Sequence, residues 1–216
     1  MANNGKKQRL LLVGLSLGAI ALGGLAIAQN ANDLRRAAFQ MSKESAAAGE
    51  FADAVEALQP LAESGDAMAQ YSLGVLYRTG GKDLPADGNK AVAWFTKAAD
   101  QGQAGAMREL AKIYEQGVAG IAPDQATANR WYDKAANRGD AQAQMGLGLK
   151  YAAGAGVPKD LVKAYTWVTL ADRGVFFDNE DANHAQAKKA KSTLVAQMSP
   201  TEVSMGEKQA LQFSAQ

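Results

Sequence analysis

Small and apolar residues recur at helical spacing through most of the chain. Ala69, Leu73, Leu76, Tyr77 and Gly80 fall at i, i+4, i+7, i+8 and i+11, which is one face of an α-helix. Gly80 is placed to end that helix as a left-handed cap. A loop with Pro85 follows. A second helix is expected to begin near Asp87, whose carboxylate suits an N-terminal position. It carries Ala91, Trp94, Phe95 and Ala98 at 0, +3, +4 and +7 and closes at Gly102. The pattern predicts helix, loop, helix, turn. Runs of β-branched and aromatic residues are scarce, which argues against a sheet. Alanine, the best helix former, is the commonest residue.

The unit then repeats. Ala69, Ala106 and Ala143 lie 37 residues apart, as do Leu73, Leu110 and Leu147, and Tyr77, Tyr114 and Tyr151. Asp87, Asp124 and Asp160 each stand seven residues before Trp94, Trp131 and Trp167, and Ala91, Ala128 and Ala164 three before them. Gly102, Gly139 and Gly174 close the units. A single helix pair cannot bury both its faces, so such units must stack. The expected fold is all-α, a right-handed α/α superhelical solenoid of helix-turn-helix repeats. The three tryptophans share one repeat position and, with the Tyr77, Tyr114 and Tyr151 ladder, are expected to fill the space between pairs.

The segment Tyr151-Ala-Ala-Gly154-Ala-Gly156-Val157-Pro158-Lys159-Asp160-Leu-Val-Lys163-Ala164-Tyr-Thr-Trp167 resembles the Sel1-like repeat. That family forms α/α solenoids related to tetratricopeptide repeats. The resemblance covers 66–174 as three units, 66–102, 103–139 and 140–174. The second departs in its loop, Gly117-Val-Ala-Gly120-Ile-Ala-Pro123-Asp124, and has Thr127 where the others have Lys90 and Lys163. The third is one residue shorter between Trp167 and Gly174. The resemblance implies an adaptor without catalysis, of the kind that serves envelope assembly, secretion, motility or signalling.

Both ends depart from the repeat. Ala54–Gly65 aligns with Ala91–Gly102, and Asp33–Gly49 would supply its first helix, so 29–65 reads as a divergent N-terminal cap. Residues 175–216 read as closing helices, one from about Asp181 to Met198 and one to about Phe213. Ser199-Pro200-Thr201-Glu202 is a capping-box start with Pro at the first helical position.

Lys6, Lys7 and Arg9 precede an uncharged apolar run from Leu10 to Ala28, and Ala26 and Ala28 form a small-residue site before Gln29. Residues 1–28 therefore read as a secretory signal peptide. The alternative is an uncleaved membrane anchor: the run approaches the ~20 residues a spanning helix needs, and Gly14 and Gly18 would offer a packing face. Either way the repeats are exported, to the periplasm or tethered to the inner membrane facing it. Gly14-Leu15-Ser16-Leu17-Gly18 also matches a nucleophile elbow, but a leader lacks the strand-turn-helix that motif requires.

Composition narrows the chemistry. The absence of cysteine excludes disulfides, thiol nucleophiles and Cys-ligated metals. His184 is the one histidine, so no multi-histidine metal site is expected, and no cofactor is implied. Removing the leader takes the net charge from +1 to −2, and the basic cluster at 188, 189 and 191 is balanced by Asp178, Glu180 and Asp181. No basic stripe points to nucleic acid. Asp178-Asn179-Glu180-Asp181 lacks the spacing of a calcium loop and reads as the acidic start of a helix.

The expected partner is a protein, with membrane contact only through an uncleaved leader. The framework repeats, but first-helix positions pointing away from it do not. They are Tyr71, Val75 and Arg78, then Arg108, Lys112 and Glu115, then Met145, Leu149 and Ala152. In a solenoid such positions line the concave groove where partners bind. One alternative is an immunity protein that blocks an exported toxin. Another, of a different class, is a hydrolase built around His184.

Overall fold

A computed structural model describes residues 24–174 and 180–213, and their side chains except at 24–32, 34 and 180. Every regular element among them is helical. Two compact units result. The first comprises the residues up to Gln103 with Val118–Gly120, the second Ala104–Gly117 and the residues from Ile121 on. Unit 1 holds α1 (Gly24–Ala47), α2 (Phe51–Glu63), α3 (Ala67–Thr79) and α4 (Gly88–Asp100). Unit 2 holds α5 (Ala104–Gln116), α6 (Gln125–Asn137), α7 (Ala141–Ala153), α8 (Leu161–Arg173), α9 (Glu180–Val195) and α10 (Pro200–Phe213). The pairs α3/α4, α5/α6 and α7/α8 are the repeated hairpins, and within each unit consecutive helices pack together as far as α9.

Local chemistry explains the hairpins. Asp87, Asp124 and Asp160 cap α4, α6 and α8, accepting from the backbone N–H of Lys90, Thr127 and Lys163 at 2.9, 3.0 and 2.9 Å. Their own N–H groups bond back to the carbonyls of Tyr77, Tyr114 and Tyr151. The same residue therefore starts the second helix and ties it to the end of the first. Asp66 and Asp140 cap α3 and α7 in the same way, each at 2.8 Å. The intervening turns use Gly65 and Gly139, at φ 99° and 83°, where an L side chain would be strained.

Close packing explains the small residues. Leu73, Leu110 and Leu147 are buried. A Cβ on Gly74 would lie 2.6 Å from the Phe95 ring, and one on Gly148 2.7 Å from Val168 Cγ2. Both glycines let the two helices of a hairpin touch.

The aromatic core differs from expectation. Phe95, Tyr132 and Val168, each one residue after a tryptophan, are buried. Trp94 and Trp131 are only half-buried, with Lys97 and Lys134 Nζ 3.9 and 4.2 Å from their ring centroids. One residue is a rotation of ~100° around a helix, enough to move a side chain from the seam to its flank. Trp167 is buried because α10 covers α8, and it meets Phe213 edge-on at 5.0 Å. Tyr77, Tyr114 and Tyr151 are likewise half-buried, and Lys90 and Lys163 lie 5.0 and 5.3 Å over the first and third.

The closing helices both pack on α8. The capping box forms: Glu202 accepts from the Ser199 N–H at 2.8 Å, while the Glu202 N–H donates to Ser199 Oγ at 3.3 Å. The bonds that the carboxylate accepts from the Ser199 N–H and, at 2.8 Å, from its hydroxyl hold the Glu202 carboxyl below its ordinary range.

At the other end, the expected processing site at Ala26–Ala28 falls in α1, and its side chains lie outside the described residues. So do the rest of the leader, Val175-Phe176-Phe177, and the Asp178–Glu180 side chains. No helix among the described residues is long and apolar enough to cross a membrane.

Candidate functional site

The first-helix positions that do not repeat have divided fates. Arg108 was expected on an open face and is instead buried. Its Nε donates to Asp140 Oδ2 at 3.1 Å and Nη1 to Glu109 Oε1 at 3.2 Å. Lys112 Nζ reaches the same Glu109 oxygen at 3.2 Å. The carboxylate that caps α7 therefore also draws the Arg108 guanidinium under the α6–α7 turn. Met145 is buried too, in the core shared by α7, α8 and α9.

Glu115 joins a second cluster in unit 2. It accepts from the Tyr132 hydroxyl at 2.8 Å and pairs with Lys150 of α7. Burial pushes its carboxyl up, but the bonds from Lys150 and Tyr132 and the Lys150 charge outweigh this and hold it below the glutamate range. Burial, then the bond to Glu115, pushes the Tyr132 phenol up.

In unit 1, Tyr71 stacks obliquely on Phe95 at 5.7 Å, and Val75 and Arg78 are half-buried. The first helices still expose two large apolar side chains, Met68 at 44% and Leu149 at 42%.

Unit 1 also holds a site that the candidate positions missed. A cleft of about 800 Å³ lies between α1 and α3, lined by Arg35, Arg36, Phe39, Lys43, Met68 and Ser72 among others. Arg35 Nε pairs with Asp66 Oδ2 at 2.7 Å, and its guanidinium lies 5.7 Å from the Phe39 ring centroid. Arg35, Phe39, Ser42 and Ala46 follow the spacing i, i+4, i+7, i+11. That signal was present in the sequence, but the segment lacks the repeat framework and read only as a cap.

His184 lies on α9 with Nδ1 3.9 Å from Asp172 Oδ1 of α8, so it joins two helices of the closing region. Among the described residues no group of three or more His, Asp or Glu could hold a metal ion.

The Sel1 repeat family model matches residues 67–103, 104–140 and 141–171. A Sel1 repeat protein from Oxalobacter formigenes has a similar solved structure, with TM-score 0.57, 29% identity, and coverage of 69% of this chain and 57% of that one. A protective antigen of uropathogenic Escherichia coli with the SLR fold aligns at TM-score 0.46 and 23% identity, over 98% of this chain and 54% of that one. An immunity protein from Pseudomonas aeruginosa aligns at TM-score 0.33 and 19% identity, over 82% of each. The chain thus spans a little over half the length of the first two. No curated protein matches it. Sel1 repeats are generally protein-interaction repeats. Residues 67–171 thus carry three Sel1 repeats in tandem, with the second helix of each hairpin capped at the matching position.

Proposed function

We propose that the chain is a protein-binding adaptor of the bacterial cell envelope, exported through residues 1–28 and without catalysis of its own. The observation that carries this reading is the contrast between framework and face. The second-helix caps and the leucines recur, whereas Val75, Lys112 and Leu149 share one repeat position and differ in chemistry. Val75 and Lys112 are partly exposed and Leu149 openly so. Positions that packing does not hold constant are where a repeat protein acquires its partner. The basic start and apolar run of the leader support the envelope location.

Site-specific cross-linking in the native cell tests both parts. A photoreactive phenylalanine analogue replaces Leu149 on a first helix, or Lys134 on a second helix. The expected result is a discrete adduct from Leu149, with the protein beginning at Gln29 in the periplasmic fraction. Adducts from Lys134 but not Leu149 would move the site to the second helices. Recovery of the intact chain from the cytoplasm would overturn the envelope assignment.

A further inference from the structure

We infer that the cleft between α1 and α3 docks an acidic segment of a partner protein, one that carries an apolar side chain between two carboxylates. This rests on the adaptor reading and names the chemistry of the partner. The first-helix seam in unit 2 is bridged twice, by Arg108 to Asp140 and by Glu115 to Lys150. Unit 1 keeps the counterpart of the first bridge, Arg35 to Asp66. Ser42 and Leu76 stand where the second bridge would form, because they align with Glu115 and Lys150. Both are buried, and Ser42, with other α1 residues and with Met68 and Ser72 of α3, lines the cleft of about 800 Å³.

The lining determines what fits. Its charged members are Arg35, Arg36 and Lys43, and no acidic side chain lines it. Arg35 is occupied by Asp66. The Arg36 side chain is 84% exposed and lies 3.9 Å from Asp33, itself 72% exposed. Lys43 is exposed. Phe39, Ala46 and Met68 give the cleft an apolar wall. Arg36 and Lys43 stand two turns apart on α1, about 10 Å along its axis, with Phe39 between them. An extended peptide rises about 3.3 Å per residue and turns residues i, i+2 and i+4 to one face, so carboxylates at i and i+4, about 13 Å apart with an apolar residue at i+2 between them, lie within reach of these two long side chains. Two cations beside an apolar wall suit a peptide better than a phosphate backbone, which is met by a longer basic stripe. The first residues of this chain carry Lys6, Lys7 and Arg9 and do not complement the cleft.

The test uses the full chain and a short fluorescent peptide in which glutamates at positions i and i+4 flank a leucine at i+2, read by anisotropy. Arg36→Glu/Lys43→Glu should weaken binding at least about tenfold, and Met68→Ser should weaken it to a lesser degree, with helical circular dichroism unchanged. Lys97→Glu/Lys134→Glu, the same charge change on second helices, should leave binding unaltered. Replacing the glutamates by lysines should abolish binding, and replacing the leucine by serine should weaken it. Equal binding of the acidic and lysine peptides, equal losses from both double reversals, or no binding at all overturns the proposal. So does binding of oligothymidine or phosphatidylglycerol vesicles with the same sensitivity to Arg36 and Lys43, since the site would then be a general anion surface. If the Leu149 adduct persists in Arg36→Glu/Lys43→Glu while the peptide is lost, both readings stand. If the adduct persists and no peptide binds, the adaptor reading stands and the cleft falls.

Discussion

Arg108 and Asp140, 32 residues apart, form an ion pair whose side chains are 9% and 4% exposed, and the same carboxylate caps α7. Arg35 and Asp66 repeat the arrangement in unit 1, but there the arginine is 46% exposed. One device thus occurs in two environments, and the environments set its worth.

Removing one member of a buried pair strands the other, at about 3–5 kcal/mol. Arg108→Ala should therefore lower the urea midpoint of unit 2 strongly, and Arg108→Glu more so. Arg35→Ala should cost below ~1 kcal/mol, because water screens that pair. Comparable losses from the two alanine variants would mean that burial does not govern the device.

Two glycines on α7 should respond oppositely to alanine. A Cβ on Gly148 would meet Val168 Cγ2 at 2.7 Å and the Ala164 carbonyl at 3.1 Å. Gly148→Ala should destabilise by about 1–3 kcal/mol through overpacking. At Gly146 the nearest atom is Tyr132 Cε1 at 3.6 Å, ordinary contact. Gly146→Ala should stabilise by up to about 1 kcal/mol, the helix preference of alanine over glycine. Thermal melts of the two variants distinguish these outcomes by sign.

Phe95 and Trp94 are neighbours with unequal burial, Phe95 being wholly enclosed. Phe95→Ala should cost about 3–5 kcal/mol. Trp94→Ala should cost below ~2 kcal/mol, within the range of ordinary substitutions. Lys97→Ala, which removes the cation 3.9 Å from the indole, should cost about 0.5–1 kcal/mol. Chemical denaturation of the three variants gives the order directly. A larger loss at Trp94 than at Phe95 would contradict the packing described.

Glu115 should contribute to acid sensitivity. Its folded carboxyl is held below the ordinary value of 4.5, so its stabilisation is complete above that pH. It disappears as pH falls through the lower, folded value. Stability should thus decline over the acid interval that begins near the ordinary value of 4.5, and Glu115→Gln should make that decline shallower. Urea midpoints measured across the interval provide the check. An unchanged slope would mean that the contacts with Lys150 and Tyr132 do not favour the ionised form.

Much of the fold was legible because it is locally encoded. The Asp87, Asp124 and Asp160 caps act on N–H groups three residues away, and the Ser199–Glu202 box is equally short-range. The candidate face was less legible. Its members were chosen by what did not repeat, and a position can fail to repeat because a specific buried contact replaced a common one. Arg108 is such a case. Phe39 and Lys43 escaped notice for the converse reason: they lie in a helix without the framework, so no comparison among repeats marked them.

By itself the sequence determined the helical hairpins, their number within the repeated segment, and the residues that start the second helix of each hairpin. These follow from side-chain periodicity and from capping bonds spanning a few residues. Tertiary structure alone decided how far the covered side of each helix extends. Trp94 and Phe95 differ by one step in the chain, and only the helix packed against them places one at the seam and the other at its flank. It also decided that Arg108 is neutralised by a carboxylate 32 residues away, while Arg36 and Lys43 border an open cleft. Burial and charge pairing depend on which segments meet, and that meeting is a property of the packed chain.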